Sequence, residues 1–547
     1  MKRRILTVFC AVAAAAPVWA QAQKGSLADL IQAGDRKAAL DKIRAGADVN
    51  EAQPDGTRPV HWAVYRVDYE LLEALIAKKA KVDVTNEFGS SPLTEAAKLA
   101  DGRMVKMLLD AGARPESPNQ DGETALMVAI NAGDLSIVEM LVRAGANVNA
   151  VERFHNQTPL MYAAAATKNA GEIVKLLLSK GANVTPRELY RDWPSQISSE
   201  PRAQYRPVGG LTALLYAARD GCYDCVEALI GAGADVNRPT PEGVTPLMIA
   251  LDNGDNDAAK LLLDRGANPH VWDWWGRTAL YIAVDRKEAA AGGGRGGGRG
   301  AVGRGTGGQG GAGSFSARAL GPGVSSMEII NTLLAAGVDP NPQLNMHRPS
   351  RGGNSGRFGD NQLSTGCTPL FRATQADDME VIQALLAKGA SPNINAMGFT
   401  PFLLAAGVSP GGRGGGGGAP NTTILDLMIQ HGADLNAQVT GTKTYSMRVS
   451  RAPSNNEGMS ALHAAVQRGR IEEVRYLLDR GANPELIDSN GDKPIDMLNA
   501  GGRGGGAQGR GSTAAGNSAA GGRGAIGAPP ASGGRGVGGR GGPGAAS

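Results

Sequence analysis

The chain has 547 residues, of which 42% are hydrophobic, 4% are aromatic and 79 are Gly. So few aromatic residues argue against a sandwich or barrel of β-branched and aromatic strands and favour helices packed through small residues. The formal net charge is +4, but the basic start and the Gly-rich stretches hold thirteen Lys and Arg and no acids. The rest of the chain therefore has a net charge of −9. This acidic balance argues against a nucleic acid as the main partner, because phosphate binding needs concentrated Lys and Arg.

The first twenty residues have the pattern of a secretory signal. The basic cluster Lys2-Arg3-Arg4 precedes an apolar run over residues 5–16, and small-residue cleavage sites follow at Ala20 or Ala22. We therefore predict a signal peptide over 1–20 and an exported protein, periplasmic or secreted. No later segment holds 18 uncharged apolar residues, so the sequence predicts no membrane span.

One tetrapeptide, of which Thr158-Pro159-Leu160-Met161 is an example, recurs along the chain. Seven of its ten successive intervals are 32 to 34 residues long, and the other three exceed that period by the length of an insertion. Each repeat also ends alike, as in Gly145-Ala146-Asn147. The copies begin at Arg58, Ser91, Thr124, Thr158, Thr212, Thr245, Thr278, Thr368, Thr400, Ser460 and Lys493.

This pattern resembles the ankyrin repeat over roughly residues 25 to 500. Its residues suit a helix-turn-helix unit, because Thr caps the first helix, Pro begins it, and Gly ends the second helix. A single unit cannot bury its apolar stripe, but a stack of units can. We therefore predict an all-α fold, an ankyrin-repeat solenoid of about twelve units with β-turn fingers, counting degenerate caps at 25–50 and 492–499.

The Gly-rich stretches divide the predicted solenoid, because they lack the apolar side chains needed to offset the entropy of ordering. The predicted divisions are N-terminal repeats over 21–286, a Gly/Arg-rich disordered insertion over 287–324, C-terminal repeats over 325–500 with a second Gly-rich insertion at 407–421, and a disordered Gly/Arg-rich tail over 501–547.

Three other insertions, at 185–209, 341–365 and 438–457, fall between the end of one unit and the next tetrapeptide. The resemblance places a protruding finger there, beside a concave binding surface. These segments and the finger near 272–275 carry Arg and aromatic residues, the types enriched in interaction hot spots. An alternative is that the Arg and Tyr side chains fold the long loops back onto the solenoid. The candidate contact residues are Tyr190, Trp193, Trp272, Trp274, Trp275, Arg348, Phe358, Tyr445 and Arg448.

The resemblance also implies contact residues just after the first helix of a unit. At those positions the sequence has Tyr65 and Arg66 in one unit and Arg219 in another. Only a minority of such residues carries binding energy in an interface.

No catalytic, metal or cofactor site is predicted. The six His are scattered, without the spacing of metal ligands. Cys222 and Cys225 form a Cys-x-x-Cys, but no second pair exists to complete a zinc site, and Cys225 takes the buried apolar position of its repeat. In an oxidising compartment a local disulfide between the two is the alternative.

These features predict an exported, non-catalytic ankyrin-repeat scaffold that needs no cofactor and binds a protein through its concave face and fingers. The sequence specifies neither the partner nor the oligomeric state. One alternative is a periplasmic accessory or inhibitory subunit of an enzyme. Another is nucleic-acid binding through the Arg-Gly segments, which is disfavoured because the tail has no aromatic residue to stack on bases.

Overall fold

The computed structural model of the protein describes residues 25–116, 118–191, 208–290, 323–344, 366–396, 398–408, 421–441 and 456–500. Within these ranges the chain forms eleven successive pairs of short α-helices, numbered here as units 1 to 11, and a final short unit 12. The predicted signal peptide, the body of the Gly-rich insertions and the tail lie outside the described residues.

The helix bounds are regular from unit to unit. In chain order the pairs are α1 (Leu27–Ala33) and α2 (Arg36–Arg44), α3 (Pro59–Tyr65) and α4 (Tyr69–Ala77), α5 (Pro92–Lys98) and α6 (Gly102–Asp110), α7 (Ala125–Ala132) and α8 (Leu135–Arg143), α9 (Pro159–Ala164) and α10 (Ala170–Ser179), α11 (Ala213–Asp220) and α12 (Tyr223–Gly231), α13 (Pro246–Asn253) and α14 (Asn256–Asp264), α15 (Ala279–Ala290) and α16 (Ser326–Ala335), α17 (Pro369–Gln375) and α18 (Met379–Ala387), α19 (Pro401–Ala405) and α20 (Thr422–Gln430), α21 (Ala461–Gln467) and α22 (Ile471–Asp479). Unit 12 is a 3₁₀ turn (Pro494–Asp496) followed by α23 (Met497–Ala500).

Capping side chains set the start of both helices in a unit. The Thr158 hydroxyl accepts a hydrogen bond from the Met161 N–H at 3.4 Å, and Pro159 follows at the first helical position, where its missing N–H costs nothing. The Asp134 carboxylate accepts the Ile137 N–H at 3.2 Å at the start of α8. Between α7 and α8, Gly133 has φ 72°, a left-handed conformation that favours Gly.

The helices form two layers. First helices contact the first helices of adjoining units, second helices contact second helices, and the main helix contacts otherwise stay within a unit. Leu160 and Ala163 on α9 and Val174 and Leu177 on α10 are fully buried in this shared core. The contacts between neighbours confirm the predicted all-α repeat stack, including a helical unit at each end.

Two details differ from the expectation. The finger insertion after unit 5 contains a two-stranded antiparallel pair, β1 (Tyr190–Arg191) and β2 (Val208–Gly209), with Tyr190 opposite Gly209. Helix α15 continues to Ala290, although the sequence analysis began a disordered insertion at 287. The extra helical turn is held because Glu288 is buried against the next unit, as described below.

Two adjacent leucines on α22 provide a test of the two-layer core. Leu477 is fully buried, whereas Leu478 is 43% exposed. We expect Leu477→Ala to destabilise unit 11 by about 2–5 kcal/mol, because it leaves a cavity between helices, and Leu478→Ala to change stability by less than about 0.5 kcal/mol. Hydrogen exchange of the α21 and α22 amides measures both; equal loss of protection in the two variants would contradict the packing described.

Candidate binding surface

The fingers are the turns that lead from the second helix of one unit to the first helix of the next. Backbone hydrogen bonds join several neighbouring pairs of fingers. Each bond runs from an N–H of one finger to a carbonyl of the finger before it, at 2.8 Å for Glu87 to Asp55, 2.9 Å for Arg153 to Asp121 and 2.8 Å for Trp274 to Glu242. This backbone ladder fixes the spacing of the fingers that it joins, and side chains at the finger tips form a row. We call this row the finger edge.

Exposed aromatic side chains are concentrated on the finger edge. Phe88, Phe154 and Trp272 are each at least 60% exposed, and Tyr190 and Trp274 are about half exposed. Large apolar side chains held in water by a rigid backbone are typical of contact surfaces. Tyr190, Trp272 and Trp274 are thus exposed, and their role as contact residues stays a prediction.

Phe88 and Phe154 are not among the residues predicted from the sequence, because they lie outside the long insertions and the Trp-rich finger. Both occupy the third position of a finger turn, where Asp55 and Asp121 stand in other units. Comparison of this position between units identifies both as apolar rings in place of an acid, but it also selects Trp275, which is buried.

Trp275 does not belong to this surface, and its selection as a contact residue is corrected here. It is only 6% exposed and packs in the core, with the Arg277 guanidinium carbon 5.2 Å from its ring centre. Five other candidates, Trp193, Arg348, Phe358, Tyr445 and Arg448, lie outside the described residues. They stay predictions.

Each long finger insertion leaves and rejoins the stack at a closed base. Glu188 N–H donates to Leu211 O at 2.9 Å, and Leu344 N–H donates to Cys367 O at 3.1 Å. The third insertion closes in the same way, with Val439 N–H donating to the carbonyl of Met459 at 2.9 Å. The two ends of an insertion therefore enter the finger edge side by side.

The predicted contact residues of the first-helix layer have different surroundings. Tyr65 is exposed, and its ring packs edge-on against Trp62 with 5.8 Å between centroids. Arg66 donates a hydrogen bond to the Gln32 carbonyl of unit 1. Arg219 pairs with Asp220 at 2.8 Å and lies over the Tyr216 ring. Both Arg side chains are thus bonded within the chain, while Tyr65 presents a free apolar edge to solvent.

Hydroxyl–carboxylate pairs, one half-buried and one buried, connect the first helices to the finger bases. Tyr162 on α9 donates to Glu123 at 2.9 Å, and Tyr216 on α11 donates to Glu188. Burial, followed by the neighbouring Glu123 carboxylate, raises the pKa of Tyr162 above its ordinary value. Both phenols therefore stay protonated donors, and they fix the fingers relative to the helices.

A buried ion pair fixes the finger that carries Trp272 and Trp274. The Arg277 Nε lies 2.7 Å from Asp273 Oδ2, and its Nη1 lies 3.2 Å from Asp252 Oδ2. The Asp273 side chain is fully buried and Arg277 nearly so. Burial raises the pKa of Asp273, although the Arg277 guanidinium opposes this shift.

Arg277→Ala tests the role of this ion pair. Because it leaves Asp273 buried without its cation, we expect a loss of about 3–5 kcal/mol of stability. The control is Arg143→Ala, which removes an exposed pair with Glu139 and should cost less than about 1 kcal/mol. Chemical denaturation followed by tryptophan fluorescence measures both. Similar losses in the two variants would show that the buried pair adds little.

Glu288 on the last turn of α15 is a buried carboxyl next to Asp378, the N-terminal cap of α18. Burial, together with a hydrogen bond and repulsion from Asp378, raises the pKa of Glu288 from 4.5 to about 7. Lys287 binds the Asp378 carboxylate beside it. This cluster joins units 8 and 9 across the point where the Gly/Arg-rich insertion departs.

The raised pKa predicts a pH-dependent stability. Between pH 4.5 and 7 the folded chain keeps a proton on Glu288 that the unfolded chain has lost, so the stability of the folded state falls as the pH rises through this window. Glu288→Gln removes the ionisation and should gain up to about 3 kcal/mol over the native chain above pH 7, with little gain near pH 4.5.

Thermal unfolding of native and Glu288→Gln protein from pH 4.5 to 8 measures this difference. Glu380→Gln is the control, because that exposed carboxylate lies 3.7 Å from the same Lys287. A constant difference between native and Glu288→Gln protein across the pH range would contradict the prediction.

The two His in the repeat tetrapeptides are structural. His61 Nδ1 accepts the Arg58 N–H at 3.1 Å, and its Nε2 lies 3.2 Å from the Ser90 carbonyl. His463 makes the same pair of contacts with Ser460 and Asp492. Burial lowers the pKa of both rings, which suits neutral rings that join adjoining units.

The Cys222 and Cys225 side chains form a disulfide in the first turn of α12. The oxidised alternative of the sequence analysis is thus the form present in the structure. The described ranges contain no group of three or more His, Cys, Asp and Glu placed to hold a metal ion. Among the same residues, no helix has the length and apolar character needed to cross a bilayer.

Comparison with known proteins identifies ankyrin repeats in several parts of the chain. A model of three ankyrin repeats matches residues 27–119, 95–188, 197–273 and 214–291. A single-repeat model matches 365–396, and a model of many ankyrin repeats matches 453–498.

Curated relatives share only part of their length with the chain. The mitochondrial disaggregase of Homo sapiens is 32% identical over 185 residues, which are 32% of this chain and 23% of that protein. The corresponding protein of Bos taurus is 28% identical over 153 residues, 24% of this chain and 21% of that protein. Alpha-latrocrustotoxin-Lt1a of Latrodectus tredecimguttatus is 25% identical over 130 residues, 24% of this chain and 7% of that protein. The chain therefore covers less than a quarter of each relative.

Proposed function

The chain belongs to the ankyrin-repeat family, whose stacks are protein-binding scaffolds and typically non-catalytic, and we propose that it is an exported scaffold. We propose that it binds a protein partner through the finger edge and the adjoining first helices. The proposal adds two things to the family assignment. It specifies the binding surface, and it places the protein outside the cytoplasm.

The row of exposed aromatic side chains is the main support for the finger edge as the binding surface. Phe88, Phe154, Tyr190, Trp272 and Trp274 all project from fingers that the backbone ladder holds at fixed spacing. Rings presented in this way lose little conformational entropy on binding, and Trp and Tyr are the side chains that most often dominate binding energy. Tyr65 extends the apolar contact into the first-helix layer.

Arg side chains contribute less to this proposal than their number suggested. Arg66 and Arg219 bond within the chain, Arg187 donates to the Pro239 carbonyl, and Arg238 donates to Thr185 O at 2.8 Å. Arg side chains that already form bonds within the chain gain little free energy by pairing with a partner protein. This favours a partner that contacts the finger edge through apolar and aromatic groups over one recognised by its acidity.

Two features support export. Residues 1–22 have the pattern of a signal peptide with its cleavage sites. The Cys222–Cys225 disulfide is a bond that persists in oxidising compartments such as the periplasm or the extracellular space.

A comparative pull-down from the exported fraction tests the binding surface. The bait is the full chain, and the test variant carries Phe154→Ala, Trp272→Ala and Trp274→Ala. Loss of two or three hot-spot rings should lower the affinity for a true partner at least about 30-fold, since each ring contributes about 1–2 kcal/mol or more. Titration of the purified partner against each bait measures the change.

The matched control carries Ile471→Ala and Leu478→Ala, two exposed apolar residues on the second helix of unit 11. It removes exposed apolar area without touching the fingers and should bind as the native chain does. A partner bound equally well by all three baits would refute the finger edge as the binding surface.

A further inference from the structure

The disulfide replaces a cap that other units build differently. The second helices of several other units begin at an Asp whose carboxylate accepts the N–H three residues on, as at Asp68, Asp101, Asp134, Asp255 and Asp378. In unit 6, Cys222 stands at this position and its Sγ accepts the Cys225 N–H at 3.3 Å. Sulfur is a weak acceptor. Capping of α12 therefore does not account for a Cys here.

The two sulfur-bearing residues differ in accessibility. Cys222 lies at the turn between α11 and α12 and is partly exposed, whereas Cys225 is fully buried among the apolar side chains of α12. Cys222 is thus the more accessible residue of the pair, although its side chain also packs partly against the core. In exchange through such a pair, an incoming thiolate attacks the more accessible sulfur, and the shielded thiol then reacts mainly within its own chain.

The charged groups near Cys222 favour incoming thiols of one charge over the other. The N–H groups at the start of α12 favour a thiolate on Cys222. Asp224 lies two residues along the chain, and Asp255 Oδ2 comes within 3.7 Å of the position that a Cβ on Gly221 would take. Arg219, three residues before Cys222 in the sequence, is already paired with Asp220 at 2.8 Å. The carboxylates near the turn therefore repel anionic thiols and attract cationic ones.

We propose that Cys222 and Cys225 are a redox-active pair that exchanges with thiols carrying positive charge near the sulfur, such as a Cys beside Lys or Arg in a polypeptide. A substrate thiolate attacks Cys222 Sγ, the Cys222–Cys225 bond breaks, and Cys225 leaves and takes up a proton. A second substrate thiolate then attacks the substrate sulfur of the mixed disulfide, and Cys222 leaves and is protonated in turn. Two substrate thiols are oxidised to one disulfide, and the pair gains two electrons and two protons.

The first test measures which sulfur reacts. Full-length Cys225→Ser and Cys222→Ser proteins are treated with cystamine, and peptide-resolved mass spectrometry follows the mixed disulfide at each remaining Cys. We expect Cys222 to react at least about 10-fold faster than Cys225, because Cys222 is partly exposed and Cys225 is buried. Cys367, whose thiol is buried, is an internal reference. Equal rates at Cys222 and Cys225 would refute the assignment of roles.

The second test measures charge selection. In the Cys225→Ser protein we expect the positively charged cystamine to modify Cys222 several-fold faster than the anionic glutathione disulfide. Asp255→Asn should reduce this preference while keeping the cap of α14, since Asn caps a helix as well as Asp does. A preference that is absent, or unchanged by Asp255→Asn, would contradict the proposed substrate class.

The third test separates exchange from a structural role. Cys222→Asp with Cys225→Ile copies the Asp134 and Ile137 pair of unit 4, and we expect it to fold with an unchanged helical spectrum. The native pair should be reduced by excess cysteamine in the folded protein. Loss of folding in the double variant, or a native disulfide that cysteamine reduces only after denaturation, would show that the bond is structural and overturn the proposal.

Discussion

Each helix pair has an apolar stripe that only the neighbouring pairs can cover, and the whole arrangement depends on this need. Leu108, Leu141, Leu177 and Leu229 are fully buried because successive second helices stand side by side. The same stacking brings successive fingers within hydrogen-bond distance, so the spacing of the finger edge follows from the packing of the core. A surface for recognition thus arises from contacts made for stability.

Polar groups complete this arrangement at the boundary between helices and fingers. The Tyr162 and Tyr216 hydroxyls and the Arg277 guanidinium all bind carboxylates at or beside the finger bases. Breaking one of these pairs would leave a polar group without a partner and largely shielded from water, which costs free energy. The pairs therefore limit the motion of each finger relative to its helix. The exposed rings are therefore held on a rigid support, which reduces the entropy lost when a partner binds.

Much of this fold could be predicted from the sequence because the signals are local and repeated. A Thr-Pro start, a Gly turn and a 33-residue period recur often enough to define the units and both end caps. Side-chain exposure within a finger was not predictable in the same way. Trp274 and Trp275 are adjacent and chemically identical, yet one is half exposed and the other is buried next to Arg277. That difference depends on packing with residues that no local pattern specifies.

The closed bases of the long finger insertions have a consequence for how such a protein can diversify. The Glu188 N–H donates to the Leu211 carbonyl at 2.9 Å. This bond holds the two ends of the insertion at the same positions on the repeat stack, whatever the length of the segment between them. Closing a loop costs an entropy that grows only with the logarithm of its length, by about 0.6 kcal/mol for each doubling. Evolution or an engineer can therefore lengthen, shorten or exchange these segments at three places while the register of the repeats stays fixed.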